Sequence, residues 1–340
     1  MPEHNFSPTE GSIERLVVRS NLLDNQLGDP ISREVMVHIP KQGLELIDQG
    51  AKLPVMIYLA PFTSSGLARA GWKAFAETLP QKHERLVNER KMSPTILVLP
   101  DCFTSLGGNQ FVDSKILGLW SSWLHQCLKP TIEQKYATNG KFGLFGKSSG
   151  GYGALHNAIH HEGEWHAIAS HSGDVGFDIL YRSDFPTTAT QINQQGGLDK
   201  FLAHVKECSK LSGDDFHALM ICAMAASYDS NGLQNSGNSI RLPFSLDTCE
   251  IDDSIWGNWL KFDPVNSIQL NANSLKRLDL LYIDCGNRDQ YGIQYGSRIL
   301  VKILQEHGVN HHWEEFEGTH SGIEHRLDIS MPMLAKALYD

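Results

Sequence analysis

Gly146-Lys147-Ser148-Ser149-Gly150 sets a serine between small residues, with a short apolar run before it and a helix-compatible run after it. Strand, tight turn and helix form the setting in which a serine hydroxyl is pushed into a cleft as a nucleophile. The turn strains the serine's backbone, and Gly146 and Gly150 permit the close approach that such a turn demands. A free hydroxyl is a poor nucleophile. It needs a histidine to take its proton and a carboxylate to hold that histidine in the correct tautomer.

The acid is expected first along the chain and the histidine after it. Cys285-Gly286-Asn287-Arg288-Asp289 follows an apolar run, which places Asp289 in a loop at a strand end; Asp284, closer to the strand, is the rival acid. Glu317-Gly318-Thr319-His320 puts His320 at the crest of a small-residue loop after another strand, a context that separates it from His311, His312 and His325. The oxyanion of an acyl-transfer intermediate needs two backbone N–H donors. Ser149, opening its helix, would supply one. Phe62 would supply the other, because Pro61 has no N–H to give. Trp120, Tyr152, Trp256 and Trp259 are candidate pocket aromatics, set against the plainer reading that each is core. His156 and His160 stand four apart on the helix after the serine. No third ligand is suggested, so they are read as helix-surface histidines and no metal is expected.

The elements that would position these groups follow from apolar patterning. Residues 13–20 and 33–39 alternate like antiparallel strands, whereas 54–60 and 95–100 are apolar throughout, as in strands buried on both faces. Helices are expected at 71–79 and 120–136, the latter kinked or restarted by Pro130. Strand 142–145, helix 151–160, strands 167–171 and 278–284, helix 295–307 stopped by Gly308, and strand 312–316 complete the series. This alternation predicts an α/β fold, a doubly wound and mostly parallel sheet with an antiparallel N-terminal hairpin. Residues 177–266 break the rhythm with polar patches at 191–197 and 229–238 and the Trp256/Trp259 pair; they read as a cap-like insertion within a single domain spanning 1–340.

In 340 residues, 29 Lys and Arg face 39 Asp and Glu, a net charge of −10 that argues against nucleic acid or anionic membrane as partner. The six cysteines form no CxxC pair, and no cofactor is implied. The N-terminus shows no basic segment followed by an apolar run, and no stretch is long enough to span a bilayer; a cytoplasmic protein is expected. Homo-oligomer formation is left open.

Taken in order, Leu99-Pro100-Asp101, Gly107-Gly108-Asn109-Gln110-Phe111, Gly118-x-Trp120, Ile132-Glu133-x-x-Tyr136, Gly146 to Gly153, Ser172-Gly173, Cys285-Gly286-x-x-Asp289 and Phe316 to His320 resemble the putative-esterase family of α/β-hydrolases. That family includes S-formylglutathione hydrolases, feruloyl and acetylxylan esterases, enterochelin esterases and mycolyltransferases. The resemblance implies the α/β-hydrolase fold, a Ser148–Asp289–His320 triad and a cap that shapes the pocket for a small-molecule ester. Ala60-Pro61 stands where many relatives carry His-Gly, a departure in the oxyanion loop. Serine carboxylesterase chemistry is the leading expectation. Its alternatives are acyl transfer by the same triad and a catalytically silent binding protein on the same fold.

Overall fold

The computed structural model describes residues 6–230 and 240–340, so most of the polar patch at 229–238 lies outside the described residues. Eight strands make the main sheet: β1 (Ser12–Arg19), β2 (Ser32–Ile39), β3 (Leu53–Leu59), β4 (Ile96–Pro100), β5 (Thr138–Lys147), β6 (Ala167–His171), β7 (Leu280–Gly286) and β8 (His312–Phe316). Their order is β1-β2-β4-β3-β5-β6-β7-β8. β1 pairs antiparallel with β2, and β2 with β4; every other pairing in the sheet is parallel. β1, at the edge, buries only Leu16 and Val18 on alternate positions, whereas β3 and β4 are buried along their whole length. Helices cover both faces of such strands, which is why they need no alternation.

The helices used below are α1 (Leu79–Asn88), α2 (Ser149–His160), α3 (Gly213–Tyr228), α4 (Pro264–Leu275), α5 (Ile293–Glu306) and α6 (Leu327–Tyr339). One apolar cluster on one face of the sheet takes in Val55, Ile57, Leu144, Leu155 and Ile168. The other face holds Met56, Tyr58, Phe145, Tyr282 and the α6 residues Met331, Leu334 and Leu338.

One helix expectation shifts. No helix forms over 71–78; α1 begins at Leu79, because Thr78 and Gln81 cap each other's backbone N–H reciprocally and Pro80 sits in the first turn. Trp72 and Phe75 in the preceding segment are 74% and 84% exposed, so no apolar face was available to dock a helix there. The run 120–136 is helical and restarts at Pro130 as expected: two α-helical pieces, Trp120–Trp123 and Lys129–Lys135, are joined by a π turn at Leu124–Leu128 in which Lys129 N–H reaches back to the Leu124 carbonyl. Pro130 has no N–H for an i−4 bond, and the widened turn precedes it.

Between β6 and β7 the described chain is largely helical, including Phe185–Gln194, Leu198–Glu207, α3, Asp253–Leu260 and α4, with a Phe244–Ile251 bridge before Asp253. The expected 177–266 insertion covers these helices up to the first turn of α4, which packs along α2 with Ser274 Oγ bonded to the Ile159 carbonyl at 2.8 Å. No helix among the described residues is long and apolar enough to cross a membrane.

Candidate active site

The chain segments that leave the C-terminal ends of β3, β5, β6, β7 and β8 bring Phe62, Ser148, Asp174, Asp289 and His320 to one rim of the sheet. Ligands gather at that rim in open parallel sheets. Ser148 stands between β5 and α2 with φ +55 and ψ −125, a backbone conformation rare outside glycine. Strain of this kind costs about 1–3 kcal/mol. The surroundings enforce it: Ser148 N–H donates to the His171 carbonyl at 3.0 Å, and Tyr152 N–H to the Ser148 carbonyl at 2.9 Å. A Cβ on Gly146 or Gly150 would stand 2.4 or 1.9 Å from the Leu59 carbonyl oxygen, so only glycine lets the elbow rest on the end of β3.

The acid and histidine loops are zipped together. Asn287 N–H donates to the Phe316 carbonyl, Arg288 N–H to the Gly318 carbonyl and His320 N–H to Gln290 Oε1, at 2.8, 2.9 and 3.0 Å. Within this unit His320 Nδ1 lies 2.8 Å from Asp289 Oδ2, and Tyr291 N–H donates to Asp289 Oδ1 at 2.9 Å. A carboxylate on Nδ1 fixes the tautomer that leaves Nε2 free to accept a proton. The Tyr291 ring packs edge-on against the imidazole, 4.9 Å between centroids.

Ser148 and His320 line the same cavity, of about 160 Å³, with Pro61, Phe62, Ser149, Asp174, Leu180, Tyr181, Phe216, Met220, Tyr291 and Ile293. Ser148 is partly exposed, and its Oγ donates a long 3.4 Å hydrogen bond to Asp174 Oδ1 rather than to His320. Resting nucleophile–base contacts are commonly loose and tighten with substrate. Among the described residues, neither Phe62 N–H nor Ser149 N–H bonds to another backbone group.

The segment Gly107 to Phe111, quoted above only for the family resemblance, has a physical task. The Gly107 carbonyl accepts from Thr63 N–H at 2.6 Å, next to Phe62, and Gln110 Nε2 donates to Ser149 Oγ at 2.7 Å. One loop therefore braces both candidate oxyanion donors. Gln110 and Asp174 were not foreseen. The three-residue run Ser172-Gly173-Asp174 after a buried strand was the signal available for Asp174.

The candidate pocket aromatics are placed elsewhere. Trp120 is buried under Arg33 with its indole N–H on the Leu117 carbonyl, and Tyr152 hydroxyl bonds the Phe262 carbonyl. Trp256 and Trp259 pack with Phe185. None lines the cavity; large rings on buried helices went to the core, and Phe62, Tyr181, Phe216 and Tyr291 wall the site instead. His156 is likewise buried, stacked between Tyr152 and Phe262, not on the helix surface. No metal-binding group of His, Cys, Asp or Glu occurs among the described residues. The rival acid Asp284 is fully buried and engaged by His171, Tyr282 and Arg326.

Similarity to known proteins fits this architecture. The fold resembles a ferulic acid esterase (TM-score 0.59, 16% identity, covering 98% of this chain and 100% of that one). It also resembles an S-formylglutathione hydrolase from Staphylococcus aureus (TM-score 0.55, 12% identity, 96% and 100%) and an enterochelin esterase from Shigella flexneri (TM-score 0.56, 13% identity, 98% and 61%). No curated protein matches the sequence. The family model described as "Putative esterase" matches residues 31–330. With that match over most of its length, the chain belongs to this esterase family and is an ester-hydrolysing enzyme of the α/β-hydrolase fold.

Proposed function

We propose that the enzyme is a serine carboxylesterase in which Ser148 is the nucleophile, His320 the general base and acid, and Asp289 the residue that orients the imidazole. The observation that carries this reading is the 2.8 Å His320–Asp289 bond at the wall of a cavity that also holds the strained Ser148. Substrate exchanges the long Asp174 contact of Ser148 Oγ for His320 Nε2. Oγ then attacks the ester carbonyl as its proton passes to Nε2. The negative oxygen of the tetrahedral intermediate is met by the N–H groups of Phe62 and Ser149. Collapse expels the alcohol, which takes the proton from His320 and leaves an acyl group on Ser148. Water, deprotonated by the same imidazole, attacks the acyl carbon and restores the serine.

The helical segment between β6 and β7 acts in this reading as a cap, since Leu180, Tyr181, Phe216 and Met220 come from it to wall the cavity. The test is a rapid-mixing experiment with an aryl acetate. A burst of phenol stoichiometric with enzyme, and an acetyl mass on the Ser148 peptide after acid quench, are expected. Undiminished turnover in Ser148→Ala, with no acyl adduct on the wild type, argues against a covalent intermediate on this serine. Adding an alcohol distinguishes transfer: ester product exceeding free acid would make the enzyme an acyltransferase.

A further inference from the structure

Asp174, three residues beyond β6, is 5% exposed and faces the cavity beside the serine hydroxyl. Its partners are sparse. Oδ1 accepts the 3.4 Å bond from Ser148 Oγ, and Oδ2 accepts from Tyr181 hydroxyl at 3.0 Å. An ionised carboxylate offers about four acceptor positions, so roughly half of its capacity is unused. The other buried aspartates among the described residues are provided for. Asp229 and Asp284 have arginines, and Asp215, Asp263 and Asp289 have backbone N–H donors. Asp174 has only hydroxyls, and it alone of these opens on the cavity that holds Ser148.

This position has an electrostatic consequence. A bare carboxylate beside Oγ opposes the negative charge that grows during attack, unless a donor covers it. Burial pushes the Asp174 carboxyl up to about 6, although His320 partly offsets this. The acyl carbon is bonded to Oγ in both tetrahedral intermediates and in the acyl-enzyme between them, so the acyl group is the part of the substrate that must lie against the neighbours of Oγ. Leu180, Phe216, Met220 and Ile293 make apolar wall, Tyr181, Tyr291 and Lys147 add polar atoms, and Asp174 is the one carboxylate in this cavity's lining that a polar acyl substituent can meet.

We propose that Asp174 is a specificity-determining residue that accepts a hydrogen bond from a hydroxyl or ammonium group on the acyl part of the ester, carried by the carbon next to the carbonyl or the one beyond it. The proposal rests on Ser148 being the nucleophile, as argued above. Sites built around a buried acceptor discriminate against an isostere lacking the donor far more strongly than apolar pockets discriminate by size.

The experiment compares phenyl esters of two isosteric acyl sets: isobutyrate, lactate and alanine for the nearer carbon, and isovalerate, β-hydroxybutyrate and β-aminobutyrate for the farther one. The ratio of kcat/KM for each donor-bearing ester to its alkyl isostere, divided by the same ratio for their hydrolysis by hydroxide alone, is the readout, so intrinsic ester reactivity and differences in folded fraction both cancel. At least one set should favour the donor by about 10-fold or more in the wild type. Asp174→Leu should bring that ratio to about one. Asp174→Asn, which keeps an acceptor without the charge, should retain hydroxyl preference and lose ammonium preference, thereby separating the two donors. A ratio of about one across both sets in the wild type, or a donor preference that survives Asp174→Leu, overturns the proposal while leaving the esterase reading intact. Undiminished turnover of phenyl acetate in Ser148→Ala would instead remove the nucleophile assignment, and this proposal with it.

Discussion

The molecule contains a second set of serine, histidine and aspartate, and it is the better bonded of the two. Between the sheet and α6, His171 Nδ1 lies 2.8 Å from Asp284 Oδ1 and His171 Nε2 lies 2.8 Å from Ser330 Oγ. At the rim, His320 and Asp289 reproduce the first contact, but Ser148 Oγ is turned to Asp174. The difference lies in what surrounds the serines. Ser330 is 0% exposed inside a helix, whereas Ser148 sits on a strained turn at a cavity, beside N–H groups of Phe62 and Ser149 that bond to no other backbone group among the described residues. A hydrogen-bonded trio of these residue types is therefore not a site in itself; access and a place for developing charge make it one. The buried set has a structural task. Arg326 joins it through Asp284 at 2.8 Å, and the backbone of His171 is the acceptor that holds Ser148 N–H.

The sharpest way to break this contrast is to remove the two serines separately. Ser148→Ala should lower kcat by about 10^6-fold, the scale on which triad serines are lost. Ser330→Ala should leave turnover unchanged and cost about 1 kcal/mol of stability, measured by denaturant unfolding. The acids should divide in the same manner. Asp289→Asn is expected to fold normally and lose about 10^4-fold in kcat, through the wrong imidazole tautomer. Asp284→Asn should instead destabilise the fold by about 3–5 kcal/mol, because it strands His171 and Arg326 in the interior, while the molecules that remain folded turn over. If these two phenotypes were exchanged, Asp284 would be the working acid.

Two buried aspartates of opposite sign extend the comparison to pH. Burial would raise the Asp284 carboxyl, but His171 and Arg326 outweigh it and hold the group below its ordinary value of 3.8. Its contribution to stability is thus present above that value and lost as pH falls through the folded-state value. Asp174 runs the other way. Burial raises it from 3.8 to about 6, so the folded protein holds a proton there that the unfolded chain has released. Its ionisation opposes folding increasingly as pH rises across that window, to a limit of about 3 kcal/mol. Asp174→Asn should therefore gain stability relative to wild type between pH 4 and 6 and show no further gain above pH 7, whereas the penalty of Asp284→Asn should shrink on acidification. Chemical unfolding at a series of pH values measures both. The smallest effect is expected at the brace of the oxyanion loop. A Cβ on Gly107, whose φ is +91, would sit 3.0 Å from the Phe62 ring. Gly107→Ala should lower kcat by about 10-fold with little change in KM.

The sequence made the sheet legible because its strands carry unmixed signals. The uninterrupted apolar runs of β3 and β4 lie within a residue of where patterning put them, and β6 and β8 coincide with it. The elbow was legible from glycines whose absent Cβ atoms are dictated by Leu59. Positions set by tertiary contact were not. The segment 71–78 has helical residue types but no surface to bury them against, and only the Thr78–Gln81 cap sets where α1 starts. Trp120, Tyr152, Trp256 and Trp259 fit either a pocket or the core by residue type, and sequence does not reveal which face of a buried helix looks into a cavity; the structure takes the core alternative. The buried Ser330–His171–Asp284 trio and the cavity-facing Asp174 arise from residues that meet only in three dimensions.

The central claim, that reactivity resides at the rim and not in the better-bonded interior set, is met most directly by a fluorophosphonate probe followed by peptide mass mapping. The expected result is one adduct per molecule, on Ser148, abolished in Ser148→Ala and undiminished in Ser330→Ala. Labelling that persists in Ser148→Ala, or an adduct on Ser330, would contradict it.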